Sequence, residues 1–351
     1  MIGSCGAGGG TETTLPPGQP TTAPPGDLVI YASLADQDEI VAYRLGTDGL
    51  LPAEPFDSMS VENPRELLLR DGVLYAALQD RVVAMQLGSD GSLPSVITSQ
   101  TFISEDAEAV DLLVLGDILY VALQDLGRVC AFQLEFNGQI SPEPMSCSGT
   151  ATSQYTALAA ANGYLYAASI GDSEIDTFII QADGTLPEEP EPQDPSTVVY
   201  RAQDLLISNG ILYAVDQSRE RIESFTILKN GLLPDEWETR TNSVQRYARM
   251  LLDGDRLYAS GFSKGRIDMF VLEPDGSLPQ TPMAYSSADA ATFPINMVLN
   301  EGILYVTQSG PGRVDAYILG ADGSPPEYPS SSTNNIEGSE FLGLALGSFP
   351  Q

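Results

Sequence analysis

One repeated position carries most of the residues in this sequence that could do chemistry. It lies eight residues before the leucine of each Leu-Tyr pair, and it is polar in five of six copies: Glu66, Asp111, Ala157, Asp204, Arg249 and Asn296. In each copy this position is the start of an apolar segment. Packing in the core therefore does not explain why the residue at this position is polar. A carboxylate placed there can orient water or a hydroxyl group and accept its proton. We therefore take Glu66, Asp204 and Arg249 as candidate catalytic residues.

Three arginines and two tyrosines precede this position by one to three residues, and arginine forks bind carboxylates with paired hydrogen bonds. We expect a small carboxylate, a sugar-like ligand or a protein partner at this place. The predicted ligand site comprises Arg65, Glu66, Asp111, Tyr155, Arg201, Asp204, Arg246, Tyr247, Arg249 and Asn296. The alternative is that these are solvated loop residues that pair with one another.

The chain contains no histidine and only three cysteines. This composition excludes Ser-His-Asp and Cys-His nucleophilic schemes, an imidazole base and histidine-based zinc or copper sites. The acidic segments 35–39 and 171–174 lack the oxygen-ligand spacing of calcium loops. The segment Gly6–Gly10 does not lie between a strand and a helix, as a phosphate loop would. We expect neither a metal nor a cofactor.

The elements that must position these residues are seven copies of one repeat. The copies are anchored by Tyr31, Tyr75, Tyr120, Tyr166, Tyr213, Tyr258 and Tyr305, which follow one another at intervals of 44 to 47 residues. Each copy reads as four short strands, and Asp-Gly or Asn-Gly pairs supply the positive backbone angles of tight hairpins. Four strands on a period of about 45 residues are typical of a β-propeller blade. The sequence predicts an all-β, seven-bladed propeller with four-stranded antiparallel blades.

The two ends of the chain predict how the ring closes. The first copy begins at Leu28 and lacks the apolar strand that precedes Leu-Tyr in the other copies. The tail segment 341–348, FLGLALGS, resembles that missing strand. We expect the C-terminal strand to join the N-terminal blade, which removes an exposed sheet edge.

The blade motifs resemble those of the lactonase-type seven-bladed propellers, the family of bacterial 6-phosphogluconolactonase and fungal carboxy-muconate cyclase. They are DGVLYAA from Asp71, DRLYAS from Asp255 with GRIDMF and PDGSLP, and GILYVT from Gly302 with GRVDAY and ADGS. The resemblance covers about residues 27 to 350 and implies the fold. Family enzymes use a histidine with Glu and Arg in the central cleft, so no catalytic residue can be transferred to this chain.

The first 26 residues, rich in Gly, Thr and Pro, have the composition of a disordered tether. The remainder, residues 27–351, is expected to be the propeller. Ile2-Gly3-Ser4-Cys5 resembles a bacterial lipobox, which implies a lipid-modified Cys5 and an extracytoplasmic, membrane-anchored lipoprotein. The basic and apolar parts of a signal peptide do not precede it, so we expect a start site further upstream or a trimmed sequence.

Cys130 and Cys147 flank the Asn137-Gly138 turn almost symmetrically. Opposite residues of an antiparallel pair lie within disulfide range, and an exported protein would oxidise them. We expect a disulfide, the alternative being two unrelated cysteines.

The charge is strongly negative, with 48 Asp and Glu against 16 Lys and Arg and a net charge of −32. Such a surface repels phosphate backbones and anionic lipids. We therefore expect no nucleic-acid partner, a membrane link only through the lipid, and a monomer.

Three functions remain open at this point. The favoured one is a lactonase-like binding module without the family's histidine-dependent catalysis. The alternatives are a hydrolase or cyclase that acts on a sugar lactone or muconolactone with Arg and carboxylates, and a structural envelope or protein-interaction component.

Overall fold

The computed structural model describes residues 27–104, 107–150, 152–192, 198–287, 293–336 and 339–349. The predicted tether and Cys5 lie outside these described residues. Within them the chain is almost entirely β-structure, with one short 3₁₀ turn at Ala35–Gln37. No helix in the described part is long and apolar enough to span a bilayer.

The strands form seven antiparallel sheets, which we call blades 1 to 7 in chain order. Blade 1 contains β1 (Asp27–Leu34), β2 (Glu39–Arg44) and β3 (Asp57–Ser60). Blade 2 contains β4 (Leu67–Arg70), β5 (Val73–Ala77), β6 (Val82–Gln86) and β7 (Ser99–Gln100). Blade 3 contains β8 (Ala109–Leu115), β9 (Ile118–Leu123), β10 (Arg128–Gln133) and β11 (Ser146–Ser148). Blade 4 contains β12 (Tyr155–Ala161), β13 (Tyr164–Ser169) and β14 (Glu174–Ile179).

The last three blades repeat this order. Blade 5 contains β15 (Ala202–Ser208), β16 (Ile211–Asp216), β17 (Arg221–Thr226) and β18 (Thr239–Arg240). Blade 6 contains β19 (Tyr247–Asp253), β20 (Arg256–Gly261), β21 (Arg266–Val271) and β22 (Ala284–Tyr285). Blade 7 contains β23 (Pro294–Asn300), β24 (Ile303–Gln308), β25 (Arg313–Ile318) and β26 (Ser331–Ser332). The chain ends with β27 (Phe341–Phe349). The predicted seven-bladed propeller is confirmed.

The last strand completes the first blade, as the sequence predicts. β27 pairs antiparallel with β1, so that Val29 lies opposite Gly347 and Tyr31 opposite Ala345. The sheet order is β27-β1-β2-β3, which joins both ends of the propeller in one blade. The ring is therefore closed by strand pairing between the two ends of the chain.

The first strands of the blades surround a central channel. Each contacts the corresponding strand of the next blade in a closed cycle, which runs through β4, β8, β12, β15, β19, β23, β27 and back to β4. Residues at the start of these strands are thereby held near one another, although they are far apart in sequence.

The tyrosine that marks each copy bonds to the following blade. Its hydroxyl donates to the carbonyl of the turn glycine there, at 2.5 to 2.8 Å in all seven cases: Tyr31–Gly91, Tyr75–Gly138, Tyr120–Gly184, Tyr166–Gly231, Tyr213–Gly276, Tyr258–Gly323 and Tyr305–Gly49. Gly49 has φ +75°, and a Cβ there would meet Ile303 Cδ1 at 2.5 Å. The repeated tyrosine and glycine are therefore two halves of one contact between blades.

Blade 3 contains a disulfide between Cys130 and Cys147. The two residues face each other on β10 and β11, with their Cα atoms 4.1 Å apart. The bond ties the outer strand of this blade to its neighbour.

Candidate functional site

The repeated polar position lies at the inner end of each blade, where the first strand begins. In several blades the ladder has a bulge there, as the register shifts between Ala202 and Leu205 and between Tyr247 and Met250 show. A bulge changes the direction of consecutive side chains. Both Ala248 and Arg249 consequently face the channel, whereas strict alternation would send one of them away.

Glu66 of blade 2 and Arg249 of blade 6 form an ion pair across the channel. Arg249 Nη2 lies 3.3 Å from Glu66 Oε2, and the two side chains are 19% and 15% exposed. Arg249 Nη1 donates to the backbone carbonyl of Gln203 at 3.1 Å. The guanidinium group thus joins blade 6 to blade 2 across the channel and to the neighbouring blade 5.

Asn296 of blade 7 binds the same carboxylate. Its Nδ2 donates to both oxygens of Glu66, at 3.0 and 3.2 Å. Its Oδ1 accepts the backbone N–H of Met297 at 2.8 Å, which fits the amide orientation. Both oxygens of Glu66 therefore have protein partners.

Asp111 and Asp204 link neighbouring blades. Asp111 Oδ2 accepts the backbone N–H of Leu158 at 2.6 Å, and Asp204 Oδ2 accepts that of Met250 at 2.6 Å. In each case the acceptor belongs to one blade and the donor to the first strand of the next. The short aspartate side chains accept hydrogen bonds from the neighbouring blade, whereas the longer side chain of Glu66 reaches across the channel.

The electrostatics of this group are dominated by burial. Burial raises the pKa of Asp111 to about 7, although Arg249 opposes the change. It also raises the pKa of Asp204 to about 6, again against Arg249. Burial by itself lowers the pKa of Arg249, but Glu66, Asp204 and Asp111 together raise it, so this group stays charged. Two carboxyl groups beside a permanent cation therefore titrate near neutral pH.

A cavity of about 320 Å³ opens on this cluster, and Glu66 and Arg249 form part of its lining. Every blade contributes the residue just before the repeated position or its equivalent in β27: Leu342, Arg65, Val110, Thr156, Gln203, Ala248 and Ile295. Segments that follow the second strands of blades 3, 5 and 6 add Gln124, Gln217 and Phe262. We call this space the axial cavity.

Most of these lining residues were not predicted from the sequence. The repeat pattern drew attention to charged side chains, whereas the residues before them are mainly apolar or neutral, like the core. These residues could have been found from their place in the repeat, since every copy has an equivalent residue directly before the repeated polar position.

Two of the four predicted arginines, Arg65 and Arg249, line the axial cavity, and the other two do not. Arg65 lines the axial cavity, and its Nη1 lies 2.6 Å from Glu108 Oε1. Arg246 is 56% exposed and lies 3.6 Å from Glu220. Arg201 is exposed and is not part of the cavity lining. The two arginines in the cavity are each paired with a glutamate, and a clamp of arginines on a carboxylate ligand stays a prediction.

The two predicted tyrosines lie in the core. The hydroxyl of Tyr155 donates to Asp176 at 2.5 Å, and that of Tyr247 donates to Asp268 at 2.7 Å. Both rings are fully buried. They support the start of the first strands in blades 4 and 6, and they do not line the axial cavity.

Among the described residues, no group of three or more acidic, cysteine or histidine side chains is arranged to hold a metal ion. The cavity can offer amide and hydroxyl hydrogen bonds, two ion-paired guanidinium groups and an apolar surface.

No protein-family model and no curated protein matches the sequence. Solved structures do share the fold. A Bacteroides fragilis protein proposed to be a 6-phosphogluconolactonase aligns with a TM-score of 0.75 and 16% identity, over 94% of this chain and 100% of its own. A Bacteroides uniformis protein with the same proposed activity aligns with a TM-score of 0.76 and 15% identity, over 92% and 100%. The periplasmic gluconolactonase of Pseudomonas aeruginosa aligns with a TM-score of 0.71 and 14% identity, over 93% and 99%. Likeness at this level of identity establishes a fold, and activity has to be argued from the site.

Proposed function

Since the chain has the lactonase-type seven-bladed propeller fold, we propose that it is a binding module that holds a small molecule in the axial cavity without transforming it. The observation that carries this proposal is the pairing of Arg249 with Glu66. A cation that stabilises a reacting oxyanion has to be directed at the substrate. Here its hydrogen bonds go to the protein, and the sequence supplies no histidine to act as base.

The test of this proposal is binding without turnover. We expect thermal stabilisation by members of a panel of sugar lactones, with no lactone opening in a pH-stat assay. Ala248→Trp should abolish the stabilisation by filling the cavity. Ala321→Trp, in an exposed turn of blade 7, is the matched control and should bind normally. Hydrolytic turnover that Ala248→Trp abolishes would contradict a non-catalytic role.

A lactone hydrolase or cyclase is the second candidate, and the raised pKa of Asp111, about 7, favours it. A carboxylate of this basicity can take a proton from water as the water adds to a lactone carbonyl. Arg249 would have to leave Glu66 to stabilise the oxyanion. Opening of the lactone that is lost in both Asp111→Asn and Asp204→Asn would support this candidate.

We also propose export and lipid attachment at Cys5. The lipobox-like Ile2-Gly3-Ser4-Cys5 supports attachment, and the Cys130–Cys147 disulfide supports an oxidising compartment. Expression of the natural gene with its upstream sequence, followed by labelling with an alkyne fatty acid, should mark the protein. Cys5→Ser should remain unlabelled, and equal labelling of this variant would refute the proposal.

A further inference from the structure

The axial cavity has an apolar wall that extends over three consecutive blades. Ala248 and Phe262 come from blade 6, Ile295 from blade 7 and Leu342 from blade 1. Phe262 is partly exposed in the segment after β20, so its ring can cover a ligand. Aromatic and aliphatic surfaces of this kind bind a molecule by removing its apolar face from water.

The facing wall, on blades 3 to 5, is uncharged and mainly polar, with Val110 as its apolar lining residue. Gln124 comes from blade 3, Thr156 from blade 4, and Gln203 and Gln217 from blade 5. Gln217 Nε2 donates to Gln203 Oε1 at 3.4 Å, which leaves the other amide atoms of this pair for a ligand. Each glutamine side chain can both donate and accept hydrogen bonds.

The charged groups of the cavity are already neutralised. Arg249 pairs with Glu66 and Arg65 with Glu108. An incoming phosphate would have to displace a glutamate from its arginine, and Asp111 and Asp204 add negative charge nearby. Like charges in a poorly solvated site are repelled.

We propose that the ligand is an uncharged molecule with an apolar ring on one side and hydroxyl or carbonyl groups on the other. This inference rests on the proposed binding function and specifies its ligand class. The ring packs against blades 6, 7 and 1, and the polar edge bonds to the amides of blades 3 and 5. A phosphorylated sugar does not fit the charge of the site.

Three soluble probes test this ligand class by isothermal titration calorimetry. Phenyl β-D-glucopyranoside has both faces, methyl β-D-glucopyranoside lacks the apolar ring, and 6-phosphogluconate carries the phosphate. We expect the phenyl glucoside to bind at least about tenfold more tightly than the methyl glucoside, which corresponds to about 1.4 kcal/mol. We expect 6-phosphogluconate to bind more weakly than either.

Two variants test whether the apolar wall gives the preference for the phenyl glucoside and whether the polar wall binds both glucosides. Phe262→Ser should reduce the phenyl-to-methyl ratio to about one, because it removes the apolar surface that distinguishes the probes. Gln203→Leu should weaken both glucosides while keeping the ratio. Both side chains are partly exposed, so the variants should fold.

The outcomes separate the two proposals. Binding of 6-phosphogluconate as tight as that of the phenyl glucoside, blocked by Ala248→Trp, would overturn the ligand class and leave the binding function standing. A phenyl-to-methyl ratio unchanged in Phe262→Ser would also overturn the ligand class alone. Absence of binding by all three probes would contradict the ligand class, and failure of the lactone panel as well would contradict the binding function.

Discussion

Glu66 and Arg249 meet across the propeller channel at 3.3 Å although 183 residues separate them in the chain. Their pairing joins blades 2 and 6, and Asn296 extends it to blade 7. The same contact links blades that face each other across the channel and gives the buried guanidinium group of Arg249 a carboxylate partner.

This pairing predicts strong coupling between the two residues. Glu66→Gln removes the charge opposite Arg249 but keeps an oxygen that can accept from Asn296. Arg249→Met removes the guanidinium group and keeps an unbranched side chain. We expect each variant to lower the free energy of unfolding by about 1–3 kcal/mol, because each leaves a desolvated polar group without its partner.

A double-mutant cycle measured by urea denaturation checks the coupling. We expect an interaction energy of about 1–3 kcal/mol between the two positions. Simple additivity of the two single costs would show that the residues do not interact directly.

The raised pKa of Asp111 makes the free energy of unfolding depend on pH. Its pKa is raised from 3.8 to about 7 in the folded chain, chiefly by burial. Between these values the native state binds more protons than the unfolded state, so the free energy of unfolding falls as pH rises. We expect Asp111→Asn to remove part of this fall, on the order of a few kcal/mol between about pH 4 and pH 7.5.

Denaturation midpoints of the natural protein and Asp111→Asn, measured across that pH range, test this prediction. Asn keeps an oxygen to accept from Leu158, so the variant should be the more stable of the two at the alkaline end. Parallel curves would mean that Asp111 titrates at its ordinary pKa.

We expect removal of any one of the marker tyrosine hydroxyls between blades to lower the free energy of unfolding by a similar, modest amount. Tyr305→Phe removes the hydroxyl that donates to Gly49 at 2.7 Å, at the junction of blades 7 and 1. Loss of one such hydrogen bond costs about 1 kcal/mol. Tyr328→Phe, in the same blade but 65% exposed, is the control. Urea denaturation should separate the two, and equal stability would exclude a structural role for the Tyr305 hydroxyl.

Ring closure predicts that Gly343 in β27 cannot carry a side chain. A Cβ there would meet the backbone oxygen of Arg65 at 2.2 Å and the nitrogen of Leu67 at 2.8 Å. We expect Gly343→Ala to lower the free energy of unfolding by about 1–3 kcal/mol through overpacking. Ser348→Ala, exposed on the same strand, should change it little. If thermal denaturation finds both variants unaffected, β27 does not pack closely against the start of blade 2.

The disulfide predicts sensitivity to reduction. Cys130 and Cys147 are 17 residues apart, and closing a loop of this length stabilises a fold by about 3 kcal/mol. Reductant should therefore lower the urea midpoint of the natural protein. It should have no effect on the Cys130→Ser, Cys147→Ser double variant. Detection of two free thiols in the untreated, denatured protein would contradict the bond.

The fold could be predicted almost completely from the sequence. Each blade is built from neighbouring segments, so its hairpin turns, its apolar strands and its marker tyrosine recur as a local pattern. Closure could also be predicted, because the first copy lacks one strand and the tail supplies it. The pattern did not show that Tyr305 bonds to Gly49. The tyrosine and the turn glycine recur in every copy, and their recurrence does not reveal which blade each of them contacts.

The site could be predicted only in part. Repetition identified the position of Glu66, Asp204 and Arg249, because equivalent residues of a ring must surround one axis. It did not reveal their directions, which depend on local bulges that turn Gln203 and Ala248 into the cavity and leave Tyr155 and Tyr247 in the core. Nor did it reveal that Glu66 reaches Arg249.

By itself, the sequence determined the number of blades, the strand that closes the ring and the absence of histidine chemistry. Only the tertiary structure decided which charges neutralise one another and which walls of the cavity are apolar. The physical reason is that a repeat encodes contacts within a blade and with its neighbour. Distances across the channel depend on the curvature of the whole ring and on the length of each side chain that points into it.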